Sequence, residues 1–425
     1  MAGAAAFLRL GRVRAQERAD AGAPADTRVN QTPQASAPRG IVGARPGPLD
    51  VVFEGGGMKG AAFAGAVEVL RARGFKLRRL IGSSAGAITA AFLAAGYETP
   101  ELAAVLGERL PGSPRRRFST FLEPPATSSP PSGVSSLAWS LFSLAVIKAV
   151  EAGGQLGLPF SKDVLTGYAR RGLSLFATGS IADDGPFLAW MGQALERKGI
   201  AREATLGELQ PRFAARGIQL SLAATDLTGQ RLLVLNHHTA PQVPLLWAVR
   251  MSMGIPIVWP EVLWRERWGR YRGRPMVEGR EGHHVVDGGV LSNFPLKYLL
   301  EPRHSTAAGV LGAPTDEQPA AVLGVLLDES KGGRKAAASP AAKTPEKSPG
   351  PQLTDLPVMS NLSRLLGTMT GAWDLETIEE YGAEPLICRI PVQGFDTLDF
   401  DMDDASMAEL VESGRGAMKR YLGVK

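Results

Sequence analysis

The sequence predicts an α/β fold around a largely parallel central sheet, and three observations carry that expectation. A short apolar run, Leu49–Phe53, ends in glycines and reads as a buried strand. Residues Ala61–Arg71 place Phe63, Ala66, Val67 and Leu70 at i, i+3, i+4 and i+7, the spacing of one helix face. The alternation then repeats, with a strand over Leu77–Gly82 and a helix over Ala85–Ala95. Strands alternating with helices favour parallel neighbours, because each crossover helix returns the chain to the same end of the sheet. Further strands are expected at Gln219–Ala223, Leu232–Leu235, His284–Val286, Ala321–Leu327 and Leu386–Ile390. Helices are expected over Phe187–Lys198, part of Leu356–Tyr381, and Ala405–Tyr421.

Composition bounds the rest. The chain has 425 residues, 44% hydrophobic and 21% charged, enough apolar mass for one large core. Residues 1–47 are rich in Ala, Pro, Gly, Gln and Arg without periodicity and read as a disordered tail. Residues 329–352 contain no large apolar side chain and read as a flexible insertion, and Glu123–Ser136 as a Pro/Ser-rich loop. The strand and two helices beyond the insertion are too little for a second domain, so 48–425 is expected to be one interrupted domain.

A net charge of +5 and the lack of a Lys/Arg-rich module argue against a nucleic-acid partner. The single cysteine, Cys388, excludes an internal disulfide and a Cys-based zinc site. No apolar run is long enough for a transmembrane helix. The N-terminal patch Ala4–Leu8, followed by Arg9, Arg12, Arg14 and Arg18, is too short for a secretory core. The expected location is cytoplasmic, with transient contact at a membrane surface.

The first strand runs into Gly55-Gly56-Gly57-Met58-Lys59-Gly60 and a helix opens directly after it. Such a run aims consecutive N–H groups outward at a helix N-terminus, where they stabilise negative charge. Gly55, Gly57 and Gly60 fit G-x-G-x-x-G of a dinucleotide site, but the same glycines suit an oxyanion hole or a tight turn. A dinucleotide site needs an acid about 20 residues further on for the ribose. None stands between Phe75 and Ala95, which leaves only an NADP variant using Arg78 and Arg79.

At that place stands Gly82-Ser83-Ser84-Ala85-Gly86, which fits G-x-S-x-G with Ser84 at the strand–helix junction. Small neighbours permit the sharp turn that presents a nucleophilic hydroxyl; a plain helix N-cap is the alternative. A serine needs a base. His237, His238, His283, His284 and His304 have no distinctive neighbourhood, although His304 follows Asp287 in the order of an α/β-hydrolase. The other candidate is Asp287, delivered by a strand and followed by Gly288 and Gly289. A carboxylate takes a proton directly if burial raises its pKa; an ordinary D-G-G turn is the alternative.

GGGMKG at Gly55–Gly60, GSSAG at Gly82–Gly86 and DGG at Asp287–Gly289 together resemble the patatin-like phospholipase family. Secondary matches are Ala223–Gly229, SMGIPIVWPEV at Ser252–Val262 and GVLSNFPL at Gly289–Leu296, with a looser one, TLDFDM, at 397–402. The resemblance implies a three-layer α/β/α fold and a lipid acyl hydrolase of phospholipase A type, without metal or organic cofactor. It implies Ser84 as nucleophile, Asp287 as proton acceptor, and the N–H groups of Gly56, Gly57 and Met58 as oxyanion donors. Lys59 takes the family's basic position with no chemistry assigned. The long tail and the insertion depart from the pattern and leave substrate and regulation open. Two other classes stay open: an NADP-binding oxidoreductase and a non-catalytic lipid-binding protein.

Two segments are membrane-facing candidates. Val134–Val150 carries one charge, Lys148, and suits an interfacial helix over a lipid site or a buried core helix. Trp264–Arg274 interleaves arginines with Trp264, Trp268 and Tyr271, as a phosphate grip or a solvated hairpin.

Overall fold

A computed structural model describes residues 39–124, 169–175, 179–301, 305–312, 320–332 and 374–424, with a few positions between 140 and 148. These belong to one compact unit, 38–425; a separate unit, 1–37, lies outside the described residues. The packed chain starts earlier than expected, since Ile41 is buried and the Arg39 carbonyl accepts from the Val322 N–H.

Strand β1 (Pro48–Phe53) leads through a 3-10 turn (Gly57–Ala61) into helix α1 (Ala62–Ala72). Then come β2 (Lys76–Gly82), α2 (Ala85–Ala95) and α3 (Thr99–Leu106). After the undescribed stretch follow α4 (Gly185–Arg197), α5 (Leu206–Ala215), β3 (Gln219–Asp226), β4 (Arg231–Leu235) and α6 (Leu245–Ser252). The short strands β5 (Val262–Leu263), β6 (Val277–Glu278) and β7 (Glu281–Gly282) precede β8 (His284–Asp287). Helices α7 (Lys297–Leu300) and α8 (Ser305–Leu311), strands β9 (Ala321–Gly332) and β10 (Ile387–Gln393), and α9 (Asp404–Tyr421) follow, with helical residues also at 169–175 and 374–380. β9 continues into the segment expected to be an insertion; 333–352 lies outside the described residues.

The eight-stranded sheet pairs β10-β9-β1-β2-β3 in parallel, with β4 and β8 antiparallel to β3 and β5 antiparallel to β8. Alternate residues separate two apolar layers. Val51, Leu80, Leu323 and Ile390 face a larger cluster shared with α1, α2, α4, α6 and α9. Val52, Ile81, Val322 and Ile387 face a smaller one containing Leu299, Leu300, Val310 and Ile378. Helices therefore cover both faces, and the chain is a three-layer α/β/α fold. A parallel sheet buried on both sides explains why β1 reads as a continuous apolar run rather than an alternation. α2 is buried all round, which its sequence AGAITAAFLAA allows because it carries no charge.

The pairing registers place the site. β4 occupies one edge of β3 over Leu222–Asp226. β2 pairs with Gln219–Leu222 and β8 with Ala224–Asp226, so both must use the other edge. β2 is parallel to β3 and β8 antiparallel, so their C-terminal ends point at each other. Gly82 lies opposite Leu222 and Asp287 opposite Ala224, with only Ala223 between. At about 3.3 Å per residue the two strand ends stop roughly 7 Å apart.

Candidate active site

Ser84 follows β2 and caps α2 in a left-handed conformation, φ 49° and ψ −118°. That conformation costs a non-glycine residue on the order of 1–3 kcal/mol and persists only where the surroundings hold it. Here the Ser84 N–H donates to the carbonyl and the hydroxyl of Ser252, each at 3.2 Å. The flanking glycines give the room. A Cβ on Gly82 would stand 2.3 Å from the Gly86 carbonyl oxygen, and one on Gly86 would stand 2.2 Å from that of Phe53.

β8 delivers Asp287 to the facing position. Its Oδ1 accepts from the Gly289 N–H at 2.7 Å, and its own N–H donates to the Gly254 carbonyl at 3.0 Å. Oδ2 is buried and makes no well-formed hydrogen bond, while the Ser84 side chain is near enough to favour the charged form of the carboxylate. Burial dominates and raises the Asp287 pKa from 3.8 to about 7, opposed by the Gly289 N–H, Ser84 and the charge of Arg250. Gly288 packs against the Ala223 carbonyl and the Ser83 hydroxyl.

The glycine loop closes the third side. Gly55 exchanges hydrogen bonds with Asn293: its N–H donates to the Asn293 carbonyl at 3.2 Å, and its carbonyl accepts from Asn293 Nδ2 at 2.9 Å. A Cβ on Gly55 would lie 2.1 Å from Asn293 Oδ1 and 3.0 Å from Ser84 Cβ, so loop and serine are in contact. Gly60 abuts Ala85 from the 3-10 turn that precedes α1. Among the described residues, Gly56 and Gly57 make no backbone N–H bond, whereas the Met58 N–H donates to the Thr397 carbonyl at 3.1 Å. Of the three expected oxyanion donors, Met58 is thus already engaged, because the 397–402 segment lies over the loop.

Several contributors carry no role in the sequence reading. Asn293 is itself held by Asp374, which accepts from the N–H groups of Asn293 and Phe294 and from the Ser292 hydroxyl, all at 2.8 Å. Glu54, just before the glycines, accepts from the Leu327 N–H at 2.6 Å, and burial pushes its carboxyl up to about 8. Arg250 on α6 is fully buried. Its Nε donates to Asp184 at 3.1 Å and its Nη2 to the Pro260 carbonyl at 2.7 Å, while Nη1 is buried without a partner. Ser252 and Asn293 sit inside strings noted for their resemblance, and their positions gave the only available signal. Asp374 and Arg250 have none, since nothing nearby in sequence marks them.

Other expectations are corrected or narrowed. Arg78 forms a two-pronged pair with Asp50, at 2.8 and 2.7 Å, and Arg79 Nε donates to Gln219 at 2.9 Å, so neither is set aside for a nucleotide phosphate. In Trp264–Arg274 the arginines are exposed, but Trp264, Trp268 and Tyr271 are buried in the core, so the aromatics do not share the exposed face with them. Arg265 lies over the Trp247 and Trp268 rings, so its charge covers apolar surface. His283 does have a distinctive neighbourhood. It is buried with Nδ1 2.9 Å from Asp226, which also accepts from Arg231 at 3.0 Å. It precedes β8 while Asp287 ends it, roughly 13 Å along the strand, so it is not the partner of Ser84. His237 stacks on His238, and burial lowers its pKa to about 4. His304 and nearly all of Val134–Val150 lie outside the described residues. Among the described residues no His, Cys, Asp or Glu cluster could hold a metal, and no helix is long and apolar enough to cross a membrane.

Comparison with known proteins bears on this geometry. The sequence model described as "Patatin-like phospholipase" matches residues 51–300. The uncharacterized protein YqhO of Bacillus subtilis (strain 168) is 31% identical over 280 residues, 64% of this chain and 73% of that protein. Among solved structures, VipD from Legionella pneumophila covers 89% of this chain and 67% of its own, at 16% identity and a TM-score of 0.41. ExoU of Pseudomonas aeruginosa, solved in complex with SpcU, covers 95% and 61%, at 16% identity and a TM-score of 0.34. The assignment rests on the sequence match, which spans more than half of the 425 residues and carries Gly55–Gly60, Gly82–Gly86 and Asp287–Gly289. The chain belongs to the patatin-like phospholipase family.

Proposed function

We propose that this chain is a serine acyl hydrolase acting on carboxylic ester bonds of (phospho)lipids, with Ser84 and Asp287 as its dyad. The observation that carries the reading is the end-to-end approach of β2 and β8 along one edge of β3, with the glycine loop against Ser84. Ser84 Oγ attacks the ester carbonyl while Asp287 Oδ2, which has a lone pair to spare, takes the hydroxyl proton. A pKa of about 7 suits that exchange, since the carboxylate is charged often enough to accept and basic enough to bind the proton. The tetrahedral oxyanion is met by the Gly56 and Gly57 N–H groups, and Met58 joins them only if Thr397 lets go. Collapse breaks the bond to the leaving alcohol, which recovers the proton from Asp287. Water, deprotonated by the same carboxylate, then attacks the acyl carbonyl, and collapse releases the fatty acid as Ser84 Oγ takes the proton back from Asp287. The chain from 48 to 425 acts as one catalytic domain that meets its substrate at a lipid surface.

The test is labelling by a fluorophosphonate probe, with and without anionic liposomes, after circular dichroism has shown each variant folded. Wild type should label; Ser84→Ala should not, and Asp287→Asn should label at least a hundredfold more slowly, within the usual range for removing a general base. Liposome binding by folded wild type with no labelling in either condition would leave a lipid-binding protein and end the hydrolase reading.

A further inference from the structure

Arg250 is a fully buried charge that the mechanism leaves unused. Its side chain is 0% exposed, two of its three nitrogens are bonded, and Nη1 has no partner. The helix that carries it, α6, leads into both backbone supports of the dyad. Ser252 holds the Ser84 N–H, and the Gly254 carbonyl holds the Asp287 N–H. Gly254 lies directly on the guanidinium, where a Cβ would stand 2.5 Å from Nη1. The unpaired nitrogen therefore lies beside the residue whose carbonyl holds the Asp287 backbone, and Asp287 Oδ2 is likewise buried without a hydrogen-bond partner.

We propose that Arg250 is a positioning residue whose buried positive charge favours the ionised form of Asp287 against its burial, while Asp184 and the Pro260 carbonyl hold the guanidinium back from pairing with it. The proposal rests on the dyad reading above. A directly docked arginine would occupy the lone pair that must receive the serine proton; one held at a distance favours the charge and leaves the oxygen vacant. The other groups facing Asp287 fit that division. β3 presents Ala224, the α2 N-terminus presents the Ser84 hydroxyl, and the following turn presents the Gly289 N–H. Among the described residues, Arg250 is the one charged group acting on the carboxylate, and the charges acting on Arg250 are Asp184, Asp287 and Asp183. Uncompensated burial of a carboxylate drives it to the neutral form, which cannot accept a proton.

Fluorophosphonate labelling of the full chain, followed against pH, tests this. Arg250→Met should move the acid limb to higher pH, with labelling about tenfold slower near pH 6.5 and close to wild type near pH 9. Arg250→Lys, which keeps the charge and loses the fork, should fall between them. Asp184→Asn should move the limb to lower pH, because it removes the charge that offsets Arg250. A uniform loss of rate with an unmoved limb would mark Arg250 as structural only and overturn the proposal. Should wild type fail to label, the dyad reading has failed, and thermal unfolding decides the Arg250 question separately. Asp287→Asn should then stabilise the Arg250→Met background more than wild type at about pH 8. Equal gains in the two backgrounds would sink the coupling. Should Arg250→Met not fold, the direction in which Asp184→Asn moves the limb decides the matter: a shift to lower pH supports the coupling, and no shift overturns it.

Discussion

The Ser84 N–H reaches both the carbonyl and the hydroxyl of Ser252, each at 3.2 Å, and so ties the strained turn after β2 to the end of α6. A left-handed serine has no intrinsic reason to persist. It stays because its amide is captured from another element and because Gly82 and Gly86 let the turn close beneath it.

Ser252→Ala removes half of that capture and leaves the carbonyl. The expected cost is about 1 kcal/mol of stability, the net value of one buried hydrogen bond. Labelling of Ser84 should slow by more than that stability loss explains. Urea unfolding and probe kinetics on the same preparation check both parts, and unchanged kinetics would show that Ser252 is dispensable to the turn.

Gly55→Ala should separate folding from reactivity. The new methyl meets Asn293 Oδ1 at 2.1 Å and Ser84 Cβ at 3.0 Å, at the edge of the loop and away from the apolar layers. Asn293 and the loop must move apart, which misplaces the glycine amides relative to Ser84. A displacement of roughly 1 Å costs on the order of a hundredfold in rate. Probe kinetics beside a near-native melting curve would bear this out; a wild-type labelling rate would contradict it.

Asp287 links stability to pH with a definite sign. Its folded pKa, about 7, lies above the ordinary 3.8, so the folded chain holds the proton more tightly than the unfolded chain. The stabilisation from that proton is whole below about pH 4 and is lost as pH rises through about 7, a total of roughly 4 kcal/mol. Asp287→Asn never ionises. It should match wild type in acid and be the more stable protein above about pH 7, while losing activity. Urea midpoints across a pH series measure this, and a wild type more stable than Asp287→Asn at about pH 8 would refute it.

How much is legible in the sequence differs by element. β1, β2, α2 and α9 are readable because their apolar spacing or glycine punctuation is local. α5 begins with the box Thr205–Glu208, a local signal that apolar spacing alone does not use. α6 is hidden for another reason. LLWAVRMS is buried on nearly every side, so it has no polar face to reveal a period, and its arginine reads as surface until Asp184 arrives from α4. β5 is too short for alternation to register, whereas β8 is readable over His284–Val286, and Trp264–Arg274 reads as exposed because charge hides its buried aromatics.

By itself the sequence determined which residues are candidates for the chemistry and where each lies along the chain. Ser84, the glycines and Asp287 stand at strand ends, and their residue types declare it. Only the tertiary structure decided that β8 meets β2 head-on along β3 and that Thr397 takes the Met58 amide. It also decided that Asn293 clasps Gly55 and that Arg250 lies buried beside Gly254. The physical reason is range. Turn chemistry and apolar periodicity act over a few residues, whereas burial of a charge and capture of an amide join residues far apart in the chain, which only a folded sheet brings together.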